Sequence, residues 1–457
     1  MIVAVLGGGV TGLCAAWKLS KAGHSVRVFE SGPRVGGSVR TDLEDGWMVE
    51  AGPNSFRESS PEVGALLGEL GLGGERIETS PAAVNRYVAR GGTLVPLPSP
   101  SSPGALITTG LLSAGAKLRI LAEVARRPRE RAEDLSLADF MRDHFGPELV
   151  ERVVQPFVSG VYAGDPERLS ARHAFPWVWE AERTKGSLVR AGAASARRRR
   201  ALGLPPSPAI VSFRGGMQAL PDALSSRLEG SVTLNADVRA VRPGSGARWS
   251  VSWTGGGAER AAPFDCVVAA VPAQSLARLE IGPGGGRPLS GLGAIESPPV
   301  ASVFVGFRRD QVRHPLDGFG VLVPATEGRS ILGIIFTSSL FPGRAPGGHV
   351  ALTVLAGGAL QPEIATLPAD ELTRRVCADL ALLVGAHGSP QFVRHALWPH
   401  AIPQYNVGHG RHLELMAECE RLNPGLFIGG NARDGISLPD CLLSGAALAK
   451  RALAHIT

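Results

Sequence analysis

Ile2-Val3-Ala4-Val5-Leu6 is an unbroken apolar run of strand length, the pattern of a strand covered on both faces. It feeds Gly7-Gly8-Gly9-Val10-Thr11-Gly12, after which 13–22 reads as a helix closed by Gly23, a residue suited to a left-handed cap. Residues 25–29 predict a second strand, with Glu30 at its end. Alternation over 75–98 predicts a strand pair around 85–88 and 93–96. From about 103 to 201 the spacing turns helical, over 105–124, 136–145, 147–157 and 169–182. Leu106, Leu111, Leu112, Leu118, Leu121 and Val124 form one stripe, backed by Lys117, Arg119, Arg126 and Arg127. Such stripes usually face a core, but basic flanks also suit a helix lying in a bilayer interface. A helix over 220–228, strands over 231–241 and 247–253 and a buried parallel strand over 266–272 follow. A strand-rich half spans 300–354, and a helix spans 369–384. The chain closes on an apolar strand ending in Gly429-Gly430-Asn431 and a helix over 441–455.

Strand, glycine turn, helix, strand and acid together make a dinucleotide fingerprint. Gly7 allows the tight turn, Gly9 keeps no Cβ between backbone and pyrophosphate, and Gly12 lets the helix approach the sheet. First-turn N–H groups, unpaired within the helix, face the phosphates. Glu30 would accept both hydroxyls of an adenosine ribose.

A second glycine pair decides which dinucleotide. Gly36-Gly37-Ser38-Val39-Arg40-Thr41 stands where a nicotinamide domain would start another helix, and the chain runs on into Gly52-Pro53-Asn54-Ser55-Phe56. The Gly-Gly-x-x-Arg-Thr element resembles one that flavoproteins of the amine-oxidase type place under FAD.

The 457 residues suggest two or three domains, and 19% charged with 44% hydrophobic residues indicates a globular chain. Met1 runs straight into the first strand, leaving no room for a signal peptide. The uncharged stretch 345–362 is broken by glycines and prolines, so strands and turns suit it better than a membrane span. Cys14, Cys266, Cys377, Cys419 and Cys441 are scattered, which suggests neither a disulfide framework nor a zinc site. The net charge of +6 is mostly arginine. Its densest run, Arg197-Arg198-Arg199-Arg200, reads as a solvated loop, with anionic lipid or an acidic partner as the sharper alternative; no nucleic-acid motif accompanies it.

Ser159-Gly160-Val161-Tyr162-Ala163-Gly164-Asp165, Phe319-Gly320-Val321-Leu322-Val323-Pro324, Ser338-Ser339-Leu340-Phe341-Pro342-Gly343-Arg344-Ala345-Pro346 and Trp398-Pro399-His400-Ala401-Ile402-Pro403-Gln404-Tyr405 carry a nearly end-to-end resemblance. With Gly430-Asn431 and Asp440-Cys441 they resemble the protoporphyrinogen oxidase family of FAD enzymes. The resemblance implies an α/β fold: a Rossmann-like FAD-binding domain from 1–80, 210–280 and 425–457, a mixed-sheet substrate domain from 81–98 and 281–424, and an inserted helical, membrane-associating domain from 99–209. It implies FAD contacts from Gly7, Gly8, Gly9, Val10, Thr11, Gly12, Glu30, Ser31, Gly36, Gly37, Ser38, Arg40, Gly52, Pro53, Asn54, Ser55, Val238, Trp398, Gly430, Asn431, Ile436, Ser437 and Leu438. It places the porphyrinogen among Gly160, Leu322, Ile335 and Leu355, with Arg86 on a propionate. Aliphatic walls suit the faces of a macrocycle, and a guanidinium suits its carboxylate. Leu355 stands where some relatives carry an aromatic residue or methionine, and Asn431 where many wider relatives carry aspartate.

The implied reaction is a six-electron oxidation, hydride going to the flavin and then to oxygen as peroxide, in a cytoplasmic protein held peripherally at a membrane. A homodimer stays open. So does the four-carboxylate substrate coproporphyrinogen III. An amine oxidase is disfavoured because no lysine occurs between Lys185 and Lys450. A flavin-binding protein without catalysis is separated from these only by turnover. No catalytic acid or base and no metal site is legible; His173, His314, His395, His400 and His409 read as surface or structural.

Overall fold

The structure, a computed structural model, describes residues 1–58, 60–83, 85–97, 109–204, 208–245 and 248–456. Its first sheet has five parallel strands. Ile2–Leu6 is central, flanked by Ser25–Phe29 and Cys266–Ala269, with Val232–Thr233 and Leu426–Ile428 at the edges. Alternate side chains divide between two layers. Val3 and Val5 pack with Leu13 and Leu448 of the helices Val10–Lys21 and Leu438–Ile456. Ala4 and Leu6 pack beneath Trp249, Val251 and Trp253 of a four-stranded sheet. Being covered on both faces, the strand needs no polar residue, which is why its apolar run is continuous. The two helices cross closely: a Cβ on Gly445 would lie 2.4 Å from the Thr11 carbonyl oxygen.

A seven-stranded mixed sheet follows the order Phe392–Trp398, Val300–Arg308, His349–Gly357, Ile331–Ile335, Gly318–Leu322, Asn85–Arg90, Thr93–Pro96. Helix Ala369–Val384 fills one face with Leu372, Val376 and Leu380 against Val303, Leu352 and Val354. The opposite face carries the residues discussed below.

Distinct from both sheets, helices occupy 114–201. Leu137–Phe145 matches the periodicity. The stretch expected over 147–157 continues through a π-turn, Val150–Val154, to the end of Gln155–Tyr162. That over 169–182 is divided into Ala171–Ala174 and Pro176–Lys185, because Pro176 can begin a helix but not continue one. Arg197, Arg198, Arg199 and Arg200 correct the loop expectation. They lie in the helix Leu188–Ala201, whose start is capped by Ser187 and whose C-terminal end favours cations. The first helix spans Ala114–Glu123; Leu106 and the rest of 98–108 lie outside the described residues, as do Pro205, Pro206, Ser207 and Ala247. The stripe divides as well. Leu111 and Leu112 are buried, whereas Leu118 and Leu121 are 66% and 64% exposed. Buried Glu123 ties this layer together, accepting from Ser187 Oγ and the Leu188 amide, both at 2.6 Å.

All five cysteines are free, and Cys14, Cys266 and Cys419 are buried as small apolar side chains.

Candidate active site

Two glycine turns meet at the C-terminal edge of the first sheet. Gly9 bridges to Gly36, and the Gly36 amide donates to the Gly8 carbonyl (2.8 Å). Gly7 has φ of +100°, and a Cβ on Gly12 would stand 2.0 Å from the Gly7 carbonyl oxygen, so both positions exclude a side chain. A Cβ on Gly9, by contrast, meets nothing within 4 Å. The helix beginning at Val10 has no side-chain cap and no acid in its first turn, so its free N–H groups face that open space. These features fit a pyrophosphate.

Glu30 sits at the neighbouring strand end. Its carboxylate accepts from the Gly8 and Gly32 amides (2.8 and 2.7 Å), which fix it while leaving lone pairs for hydroxyl donors. Ser31 follows at the surface. Val238 lies two residues beyond Ala236, whose amide donates to the Glu30 carbonyl (2.8 Å), at the same adenosine end. Arg34 clamps the second glycine turn, donating to the carbonyls of Val35, Val39 and Gly37.

Gly52, Pro53, Asn54 and Ser55 are joined to this turn by close backbone approach: a Cβ on Gly52 would lie 1.9 Å from the Ser38 carbonyl oxygen. Trp398 donates from Nε1 to the Ala51 carbonyl (2.7 Å), placing the indole beside that segment. Arg40 instead extends outward to Asp42 (2.9 Å). From the C-terminal side, Gly430 comes within 3.9 Å of the Thr11 side chain by its Cβ position. Tyr405 holds the turn through Asn431, Ile436, Ser437 and Leu438 in shape, its hydroxyl donating to the Asn431 carbonyl (2.6 Å) and accepting from the Gly435 amide (3.0 Å). His409 is structural, buried and stacked 4.1 Å from the Tyr405 ring.

The second half of the site is a face of the large sheet. Leu322 pairs with Gly333, Gly333 with Leu355, Gly320 with Ile335 and Ile335 with Thr353. Cross-strand partners share a face, so Leu322, Ile335 and Leu355 line one side, half-buried, while Val321, Ile334 and Val354 fill the core behind. Gly160 packs on this face; a Cβ there would reach 2.6 Å from Leu322 Cδ2. Thr353 carries the connection to the cofactor side. Its hydroxyl contacts Asn54 Oδ1 (3.2 Å) and Thr337 Oγ1 (2.8 Å).

Arg86 stands on the strand beside Leu322, since Val88 pairs with Leu322. It is solvent-accessible, and burial first and the charge of Arg57 second lower its pKa. Its guanidinium lies 5.9 Å from the Phe319 ring centroid and has no carboxylate partner among the described residues. Tyr162 ends the helix Gln155–Tyr162 that packs Gly160 on Leu322; burial and then Asp440 push its phenol up to about 12, so it remains a protonated donor at neutral pH.

Arg34, Arg57, Tyr405 and Thr353 were not singled out by sequence pattern. Arg34 precedes a glycine pair, Arg57 follows the Gly-Pro-Asn-Ser-Phe block directly, and Tyr405 ends a restricted motif. Adjacency was the available signal, and pairing across distant strands gave Thr353 none.

A family model described as flavin containing amine oxidoreductase matches residues 10–453. The chain belongs to this family of flavin oxidoreductases. FAD is the family's cofactor, and the glycine turns, Glu30 and the bare helix start are the residues that would hold it. Among family members, the chain is 34% identical to protoporphyrinogen oxidase 2 of Arabidopsis thaliana, over 99% of this chain and 94% of the relative. It is 28% identical to coproporphyrinogen III oxidase of Bacillus subtilis (strain 168), over 99% and 98%. A solved structure from Exiguobacterium sp. 255-15 superposes with a TM-score of 0.82 at 24% identity, over 98% of both chains, and so shares the fold.

Proposed function

We propose that this chain is an oxygen-dependent FAD enzyme that converts protoporphyrinogen IX to protoporphyrin IX. The observation that carries the substrate reading is Arg86: an arginine without a carboxylate partner among the described residues, on the strand beside the sheet face of Leu322, Ile335 and Leu355 on which Gly160 packs. A flat apolar macrocycle bearing carboxylates matches both parts. The named relatives support the same substrate class.

FAD, when bound, supplies the two-electron acceptor. Over three rounds, three hydrides leave methylene bridges of the macrocycle together with three protons, two from pyrrole nitrogens and one from the fourth bridge, and the electrons end on oxygen as peroxide. The protein binds and orients: Arg86 fixes a propionate, and the aliphatic wall sets the plane of the ring and excludes water. Tyr162, held protonated, can donate a hydrogen bond but is not poised as a base at neutral pH.

The cofactor division we assign to 1–80, 210–280 and 425–457, the substrate division to 81–98 and 281–424, and the helical division to 99–209. Leu118, Leu121, Phe157, Val161 and Trp177 are exposed on the helical part, beside an arginine-rich helix, which supports peripheral contact with a membrane surface. Among the described residues no helix is long and apolar enough to cross a membrane. Vesicle flotation tests the contact, and absence from lipid fractions at low salt removes it.

Aerobic turnover of protoporphyrinogen IX and coproporphyrinogen III, followed side by side by porphyrin fluorescence, tests the assignment. Preference for the dicarboxylate is expected. Preference for the tetracarboxylate keeps the chemistry and changes the substrate; turnover of neither by FAD-loaded protein refutes it.

A further inference from the structure

Thr353 is wholly buried, and Thr337 and Asn54 are buried beside it. Thr353 pairs across to Ile335, so it shares the face of the proposed substrate wall, two residues before Leu355. Asn54 belongs to the other half of the site. It follows Gly52 by two residues, and Gly52 is the position packed against the Ser38 carbonyl beyond the second glycine turn. The Thr353 hydroxyl meets Asn54 Oδ1 at 3.2 Å and Thr337 Oγ1 at 2.8 Å. The cofactor segment and the substrate sheet are therefore joined by one buried hydrogen-bonded chain.

Proton counting gives that chain a direction. The Gly52 carbonyl can only accept, and the Asn54 side chain stands 3.3 Å from it, so the amide nitrogen faces Gly52 and the amide oxygen faces Thr353. An amide oxygen cannot donate. Thr353 must direct its single hydroxyl proton to Asn54 and accept from Thr337. The longer approach of Thr337 Oγ1 to the Ile335 carbonyl, 3.4 Å, is then left without that proton. One hydrogen of the Asn54 amide goes to Gly52, and the other has no acceptor among the described residues. The reactive end of a flavin has to lie against its substrate, and Asn54 is where the 52–55 segment bonds to the substrate sheet. A flavin ring gains negative charge on reduction, and a fixed neutral donor at its acceptor edge stabilises that state.

We propose that Thr353 is a positioning residue: backed by Thr337, its hydroxyl fixes the Asn54 amide so that the unshared N–H is held as a donor to the flavin ring, raising the reduction potential of the bound cofactor. Valine has nearly the same shape as threonine but no proton to give, so it leaves the Asn54 oxygen and the Thr337 hydroxyl without their partner. Serine keeps the proton. The inference rests on flavin binding and not on which porphyrinogen is oxidised.

The test is the two-electron reduction potential of the FAD-loaded protein, by dye equilibration, together with its flavin absorbance spectrum. Wild type, T353V, T353S, N54A and T353V combined with N54A are compared, with FAD titrations and melting curves reporting loading and folding. T353V should move the equilibrium toward oxidised flavin about tenfold, or about 30 mV for two electrons. T353S should return to the wild-type value, and T353V should add nothing once Asn54 is alanine. A wild-type potential and spectrum in T353V overturns the proposal, leaving a hydroxyl that only ties two packed segments together. An equal T353V shift in the N54A background overturns it as well, because the hydroxyl then acts without the amide. If T353V does not hold FAD, N54A decides: a lowered potential upholds the donor, and an unchanged one removes it. None of these measurements uses a porphyrinogen, so failure of the substrate assignment leaves them intact.

Discussion

Arg344 and Glu50 face each other wholly out of contact with solvent, nitrogen to oxygen 3.8 Å. The guanidinium donates to Ser212 Oγ (2.9 Å) and the Phe213 carbonyl (3.0 Å), while the carboxylate accepts from Thr41 Oγ1 (2.7 Å) and the Met217 amide (3.0 Å). The pair thus joins the hairpin after the second glycine turn to the loop that leads into strand His349–Gly357 and to strand Ile210–Phe213. Burial is the largest influence on each partner, raising Glu50 and lowering Arg344.

Glu50 is pushed up to about 7 from an ordinary 4.5. Between those values the folded protein holds a proton that the unfolded chain has released, so stability falls as pH rises through that window. The wild-type melting temperature should decline from pH 5 to about 7, by an equivalent of roughly 2–3 kcal/mol. E50Q has no such proton. A melting series in which E50Q keeps the same slope would assign the decline to other groups.

Gly9 and Gly12 separate cofactor space from folding space. Gly9 has φ of −73°, which alanine adopts freely, and its Cβ would meet nothing. G9A should leave the melting temperature of the flavin-free protein within about 0.5 kcal/mol of wild type and sharply weaken FAD binding. G12A should lose fold and flavin together, its Cβ being 2.0 Å from a carbonyl oxygen. Titration with FAD and a melting curve on each variant distinguish these outcomes; tight FAD binding by G9A would mean the pyrophosphate lies elsewhere.

Gly160 packs closely against Leu322 of the proposed substrate wall. The alanine methyl would lie 2.6 Å from Leu322 Cδ2, the far end of a side chain that can rotate away. G160A should therefore fold, bind FAD normally and raise the porphyrinogen KM several-fold, a cost of about 1 kcal/mol. Steady-state kinetics with unchanged KM would show that Leu322 has room to move elsewhere.

Removing the Tyr405 hydroxyl leaves the Asn431 carbonyl and the Gly435 amide without it. Y405F should lose about 1–3 kcal/mol of stability and bind FAD more weakly, since the turn carrying Asn431 to Leu438 loosens. Unchanged FAD affinity in a calorimetric titration would confine Tyr405 to a structural role.

Much of the cofactor side was legible because it is local. Strands Ile2–Leu6 and Ser25–Phe29 were bounded correctly, since apolar runs and glycine punctuation are read within a few residues. The helix Ala369–Val384 likewise follows directly from its periodicity. The arginine run at 197–200 was misread because charge density suggests solvent and says little about backbone, whereas arginine and alanine are strong helix formers. The exposure of Leu118 and Leu121 was hidden for the opposite reason: a stripe shows that a face is apolar, not what covers it. Thr353 could not be found at all, because it meets Asn54 and Thr337 only through strands far away in the chain.

The order of strands in the parallel sheet has a consequence for synthesis. Cys266–Ala269 finds one neighbour in Ile2–Leu6, already made, and the other in Leu426–Ile428, still to be translated. Throughout that interval a hydrogen-bonding edge of the sheet stays open, available to any strand that meets it. The late segment also delivers Gly430, Asn431 and the helix that crosses at Gly445. A nascent chain can therefore display a complete glycine fingerprint and still be unable to close over its dinucleotide, so cofactor capture marks the end of folding, not its beginning.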